Sequence, residues 1–156
     1  MSHIVGNWDI SGVWTMYSGG HFGPSLASSV SNAIGSSALA PAERPNVIGN
    51  PNLPSGQRTI NAWFNKDAFA SPAQFTFGNS GTGVLVGPGY FNVDAGIHRN
   101  FAIKERIKMS FRWELFNSFN RANFNNPNAQ IGGGSAGTIS GTLAARVMQG
   151  ALKLTF

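Results

Sequence analysis

A chain of 156 residues with a formal charge of +5 is long enough for one domain with a core of its own. Only 11% of its residues are charged, against the usual quarter, while 20 are Gly, a balance that disfavours helices and favours strands joined by loops. The absence of Cys excludes disulfides and thiol chemistry, and no apolar run approaches the ~18 residues of a membrane-spanning helix.

In chain order, MSHIVGNWD has neither the basic nor the apolar region of a signal peptide. A protein destined for export would therefore need further sequence ahead of it. The first alternation covers residues 6–17, with Trp8, Ile10, Gly12, Trp14 and Met16 opposing Asn7, Asp9, Ser11, Thr15 and Tyr17, and Val13 interrupting the polar side. Residues 19–88 are rich in Gly, Pro, Ser and Asn and read as a long loop, in which WFNKDAF is expected to pack Trp63, Phe64 and Phe69 as a small anchor. GNSGTGVLVGPG lacks the Lys-Ser/Thr of a phosphate loop and leads into the second strand. That strand, 90–103, sets Phe91, Val93, Ala95 and Ile97 against Asn92, Asp94, Gly96 and His98, with Phe101 and Ile103 resuming the apolar face.

A polar turn at Lys104-Glu105-Arg106 opens the third alternation, 106–119, where Ile107, Met109, Phe111, Trp113 and Leu115 oppose Lys108, Ser110, Arg112 and Glu114. Residues 122–145, containing NNPN and IGGGSAG, form a second long loop. The fourth alternation, 146–156, puts Met148, Gly150, Leu152, Leu154 and Phe156 on one face and Val147, Gln149, Ala151, Lys153 and Thr155 on the other. Each run has about ten residues, longer than the five or six of an ordinary soluble strand. The predicted fold is all-β, an antiparallel meander of about four long strands with two long loops. Its short turn lies at one end and both loops at the other, the asymmetry of outer-membrane barrels. Alternation alone leaves open whether the apolar face meets a soluble core or lipid. A sheet of four strands has open edges, so it is expected to be part of a β-barrel or of an oligomeric β-assembly.

The chemistry candidates are few. Arg99, Lys104, Arg106, Lys108 and Arg112 fall close together with Phe101 and Phe111 nearby, but a solvated turn accounts for them and no nucleic-acid partner is expected. GGSAG matches G-x-S-x-G, so a serine hydrolase would use Ser135, with His98 or His21 as base and Asp94 or Asp67 orienting it. The flanks suggest neither the strand nor the helix of a nucleophile elbow, and a flexible loop is the expected reading. His3, His21 and His98 are dispersed without metal-ligand spacing, so neither a metal nor a cofactor is expected. Glu105 with Glu114, or Asp9 with Asp94, could pair as acid and base, though no spacing demands it. His98 and Asp94 are expected to form a polar pair on the polar face.

RPNVIGNPNLP, RTINAWFNKDAFASP, FTFGNSGTGVLVGPGYFNVD and FRWELFNSFNRANFNNPN occur in this order, and with them nearly the whole chain resembles the C-terminal end of TonB-dependent outer-membrane receptors, above all the Oar-like, carboxypeptidase-regulatory-like type. The resemblance implies a barrel of about 22 strands closed around a plug, of which this chain would be a single segment, residues 1–156, equivalent to the last four strands. It implies extracellular loops at 19–88 and 122–145, a periplasmic turn at 102–106, and a parent protein in the outer membrane of a Gram-negative bacterium. It also implies a barrel-assembly signal at Gln149, Gly150, Leu154 and Phe156, with Gly150 one position earlier than the family's pattern. Expected partners are outer-membrane lipid, the barrel-assembly machinery, and either the remaining strands of a parent barrel or further copies of this chain. The leading expectation is thus a non-enzymatic pore-wall and ligand-loop element that performs no gated transport alone. A serine hydrolase using Ser135 and a soluble all-β binding module stand as alternatives.

Overall fold

The computed structural model describes residues 6–27, 43–104 and 106–156. Its strands in chain order are β1 (Trp8–Tyr17), β2 (His21–Phe22), β3 (Ser25–Leu26), β4 (Asn46–Val47), β5 (Phe69–Ala70), β6 (Leu85–Val86), β7 (Tyr90–Lys104), β8 (Ile107–Phe116), β9 (Gln130–Ile131) and β10 (Val147–Thr155). Two 3-10 turns, Ser55–Gln57 and Lys66–Ala68, are the only helical pieces among the described residues. The chain divides into two compact units, one of Met1–Tyr17, Tyr90–Asn123 and Leu143–Phe156, the other of Ser18–Gly89 and Phe124–Thr142.

The first unit is one sheet of order β1-β7-β8-β10, antiparallel at every pairing. Directly paired residues share a face, so the register sorts the side chains. One row reads Ile10, Ile97, Trp113, Gly150, and the next Trp8, Arg99, Phe111, Leu152. The opposite face carries the rows Asp9, His98, Arg112, Ala151 and Ser11, Gly96, Glu114, Gln149. The all-β antiparallel meander expected from the alternation is what forms. β7 and β8 are linked by a tight turn, whereas Tyr17 pairs with Tyr90 and Phe116 with Val147, so both long excursions start at the other end of the sheet.

β8 ends at Phe116, earlier than its alternation predicts, because Asn117 takes a left-handed φ of 52°. Asn tolerates that conformation at small cost because its short amide can bond the local backbone. The Asn117 amide nitrogen donates to the carbonyl oxygens of Arg121 and Ala144 at 3.0 and 3.2 Å, and its oxygen accepts from the Arg121 N–H at 3.0 Å. Asn123 does the same service for Phe91, accepting from its N–H at 3.0 Å and donating to its carbonyl oxygen at 2.9 Å.

The second unit has a core of Leu26, Phe64, Phe69, Leu85 and Ile131, with Phe22, Val47, Trp63, Val84 and Ala129 packed against it. Phe64 meets Phe22 and Phe69 edge-on at 6.4 and 6.1 Å, so the anchor expected of Phe64 and Phe69 is the centre of this core. Trp63 lies at its margin, donating its indole N–H to the Val86 carbonyl at 2.9 Å. Around the core, β2 pairs with β6 and β4 with β5 antiparallel, and β3 with β9 parallel. Asn46 and Asn79 cross-link two segments, each side-chain oxygen accepting a backbone N–H of the other segment, at 3.0 and 2.7 Å. Beside them, a Cβ on Gly78 would collide with the Arg44 carbonyl, so only Gly allows these backbones to approach. The stretches that alternation leaves as loops therefore carry a fold of their own.

Candidate functional site

The apolar face of the sheet belongs to no core, and along its edge strands it is open: Ile10 is 78% exposed, Trp14 69% and Leu152 67%. Its aromatics gather at two levels. At the excursion end, Trp14 and Phe119 lie against Phe91 at 5.9 and 6.4 Å, while on the opposite face Tyr17 stacks on Tyr90 at 4.8 Å. At the turn end, Trp8 meets Phe101 and Phe111 edge-on at 6.5 and 6.3 Å. Phe91 and Phe101 are about 33 Å apart along an extended strand. At the ~40° tilt of barrel strands this spans about 25 Å, the height of an outer-membrane barrel's apolar band between its aromatic girdles. A soluble monomer would hide such a face, whereas contact with lipid leaves it satisfied as it stands.

Residues 1–149 match the model of the family described as outer membrane beta barrel domain. The chain belongs to this family. Outer-membrane localisation follows, with the apolar face toward lipid and the polar face toward the barrel interior. No match was found among curated proteins or among solved structures. None of the described helices is long and apolar enough to cross a membrane, which does not bear on strands.

Within the barrel wall, Arg99 departs from the expected solvated turn. It stands on the lipid-side face, 5% exposed, with its guanidinium over the rings of Trp8 and Phe101 at 5.0 and 4.3 Å. The rings cover its charge through cation–π contact where water is absent. No sequence pattern flags it, because a single Arg in an apolar row looks like the start of the turn. Lys108 and Arg112 do lie on the polar face, by register with Ala102 and His98.

The polar face holds three small networks. Asp94 accepts from the Asn92 amide at 2.8 Å and from the Asn117 N–H at 2.9 Å. It therefore anchors the end of β8 instead of pairing with His98. His98 lies between two other residues, its Nε2 2.9 Å from Ser110 Oγ and its Nδ1 3.9 Å from Asp9 Oδ2. Arg112 sits 3.7 Å from Glu114, which also accepts from the Gln149 amide. Asp9 and Asp94 share the face but are four residues apart along the β1–β7 ladder, about 13 Å, too far to exchange a proton directly. His3 and Glu105 lie outside the described residues.

Ser135 belongs to the second unit, whereas His98 and Asp94 belong to the sheet. It follows β9 within a run of turns with no helix after it, and its hydroxyl accepts from the Asn128 amide at 2.7 Å. His21, the other candidate base, donates from Nδ1 to the Gly83 carbonyl at 3.0 Å. Asp67 lines a cavity of about 390 Å³ together with Lys66, Ser71 and Gly132 to Gly134. No cluster of His or carboxylates among the described residues could hold a metal. Of the residues expected to form an assembly signal, Gln149 lies on the polar side, Leu154 on the lipid side, and Phe156, 88% exposed, follows the last strand. At Gly150 a Cβ would come within 3.2 Å of the Trp113 ring, so Gly lets that ring lie against the β10 backbone.

Proposed function

We propose that the chain forms part of the wall of a TonB-dependent outer-membrane receptor, with its second unit built from extracellular excursions that contribute to the ligand mouth. The observation that carries this reading is the asymmetry of the sheet: a tight turn links β7 and β8 at one end, while the two long excursions, whose described residues form the second unit together, leave and return at the other. Short periplasmic turns and long external loops are the habit of such barrels. Gated transport would require a plug and energy coupling beyond the wall. The outer edges of β1 and β10 would be closed by further strands of a parent barrel or by other copies, because lipid offers backbone groups no partner. The assembly machinery would read Gln149, Gly150, Leu154 and Phe156. The reading assigns Ser135 no catalytic task.

The Cys-free chain offers a clean test of orientation. A membrane-impermeant maleimide added to intact cells should label Asn61→Cys, and should label Arg106→Cys only after the outer membrane is opened. Equal or reversed labelling overturns the proposal. Coupling is read separately: the full parent protein should co-purify with the periplasmic domain of TonB, and failure to do so would remove the TonB assignment while leaving the wall in place.

A further inference from the structure

We propose that Ser110, His98 and Asp9 form a nucleophile, base and orienting carboxylate on the polar face of the sheet, and that they hydrolyse carboxylic esters in the cavity beside them. This goes beyond the pore-wall reading and does not depend on it. The three residues come from three adjacent strands whose register fixes them: Asp9 pairs with His98, and Ser110 pairs with Asn100, the next position on the same face of β7. Ser110 is thus the diagonal neighbour of His98, within reach of its ring.

The distances follow the order of roles. Ser110 Oγ is 2.9 Å from His98 Nε2, a full hydrogen bond, and Asp9 Oδ2 stands on the Nδ1 side at 3.9 Å. A carboxylate on that side, once drawn into hydrogen-bond range, selects the tautomer with its proton on Nδ1, which leaves Nε2 as an acceptor for the serine hydroxyl. The Asp9 side chain is 89% exposed and so is free of packing that would bar a closer approach, and such sets commonly tighten only when substrate is bound. His98 is held more firmly, its side chain 34% exposed between the two.

Beside Ser110 lies a cavity of about 570 Å³, lined also by Asn100, Lys108, Lys153 and Thr155, a size that suits a small ligand. Register places Asn100 and Lys153 directly across from Ser110 on its two flanks. An amide and an ammonium therefore flank Ser110 and are the groups assigned to the oxyanion, and the two lysines favour an ester that carries an anionic group. In the reaction, Ser110 Oγ adds to the ester carbonyl carbon as its proton passes to His98 Nε2. The bond to the alcohol oxygen then breaks, and that oxygen takes the proton from His98. Water, losing a proton to Nε2, attacks the acyl-serine, and return of that proton to Ser110 releases the carboxylic acid.

The full chain, folded in detergent micelles, is treated with a fluorophosphonate and its peptides are weighed, and p-nitrophenyl butyrate hydrolysis is followed in parallel. The expected result is one adduct, on Ser110, and a rate that falls by on the order of 100-fold or more in Ser110→Ala and in His98→Gln. Asp9→Asn should cost about tenfold, because an exposed carboxylate only orients the ring. Ser135→Ala should leave the rate unchanged. If these bonds serve only the ladder, the substitutions would shift heat-modifiable migration without any adduct on the wild type. No adduct on folded wild-type protein, an adduct on Ser135, or an unchanged rate in Ser110→Ala each overturns the assignment, and the wild-type labelling decides it even if a variant fails to fold.

Discussion

The two units solve the burial problem in opposite ways. In the second unit the buried side chains include Leu26, Pro45, Phe64, Ala68, Phe69, Leu85, Ile131, Ala136 and Ser80, almost all apolar. In the sheet the buried side chains are Arg99, Asn117 and Asn123, all polar, while Trp14, Ile10 and Leu152 stand outside. The first arrangement is that of a protein in water. The second is what lipid demands, where backbone and polar groups must be satisfied internally and apolar side chains need no shelter. One short chain thus obeys two solvents, and its residues are sorted accordingly.

The contrast can be broken from either side. The largest effect is expected from Phe64→Ala, which removes a ring 3% exposed at the centre of the second unit; it should cost about 3–5 kcal/mol. Hydrogen exchange should then show the amides of residues 43–89 opening while the sheet keeps its heat-modifiable migration. Next, Ile97→Arg on the lipid face should lower the unfolding free energy in phospholipid vesicles by about 2–4 kcal/mol, whereas Ser11→Arg on the polar face should stay within about 0.5 kcal/mol. Equal costs at the two positions would mean that the faces are assigned wrongly. Asn117→Ala loses three hydrogen bonds and places Ala at a φ of 52°; urea titration should register about 1–3 kcal/mol. The smallest effect belongs to Glu114→Gln, since its partner Arg112 is 61% exposed; less than about 1 kcal/mol is expected.

The sheet was legible in the sequence because period two persists over about ten residues and fixes which side chains share a face. The second unit was not, apart from Phe64 and Phe69. Strands of two residues have no period, and Asn46–Asn79 bonding joins positions 33 apart that no local pattern connects. The candidate site divides along the same line. Alternation puts His98 on the polar face, where the register has it, but sequence spacing suggests Asp94 as its companion. Its actual neighbours, Asp9 and Ser110, lie across strands, where only register brings them together. The tight β7–β8 turn was the available signal, since folding the hairpin about it sets Ser110 beside Asn100. Arg99 reads from the sequence as part of a solvated turn because a cation within an apolar row is explained only by the rings above it, and those come from β1 as well as β7.

The alternation of strand direction across the sheet has a consequence for size. β1 and β10 run in opposite senses, so the strand that docks on either edge finds the antiparallel partner it needs without any change of phase. At the strand spacing and tilt of membrane barrels, the unit supplies about 25 Å of circumference. It can therefore be set into a narrow or a wide cylinder as a tile, altering the bore while leaving the parity of the strand count intact.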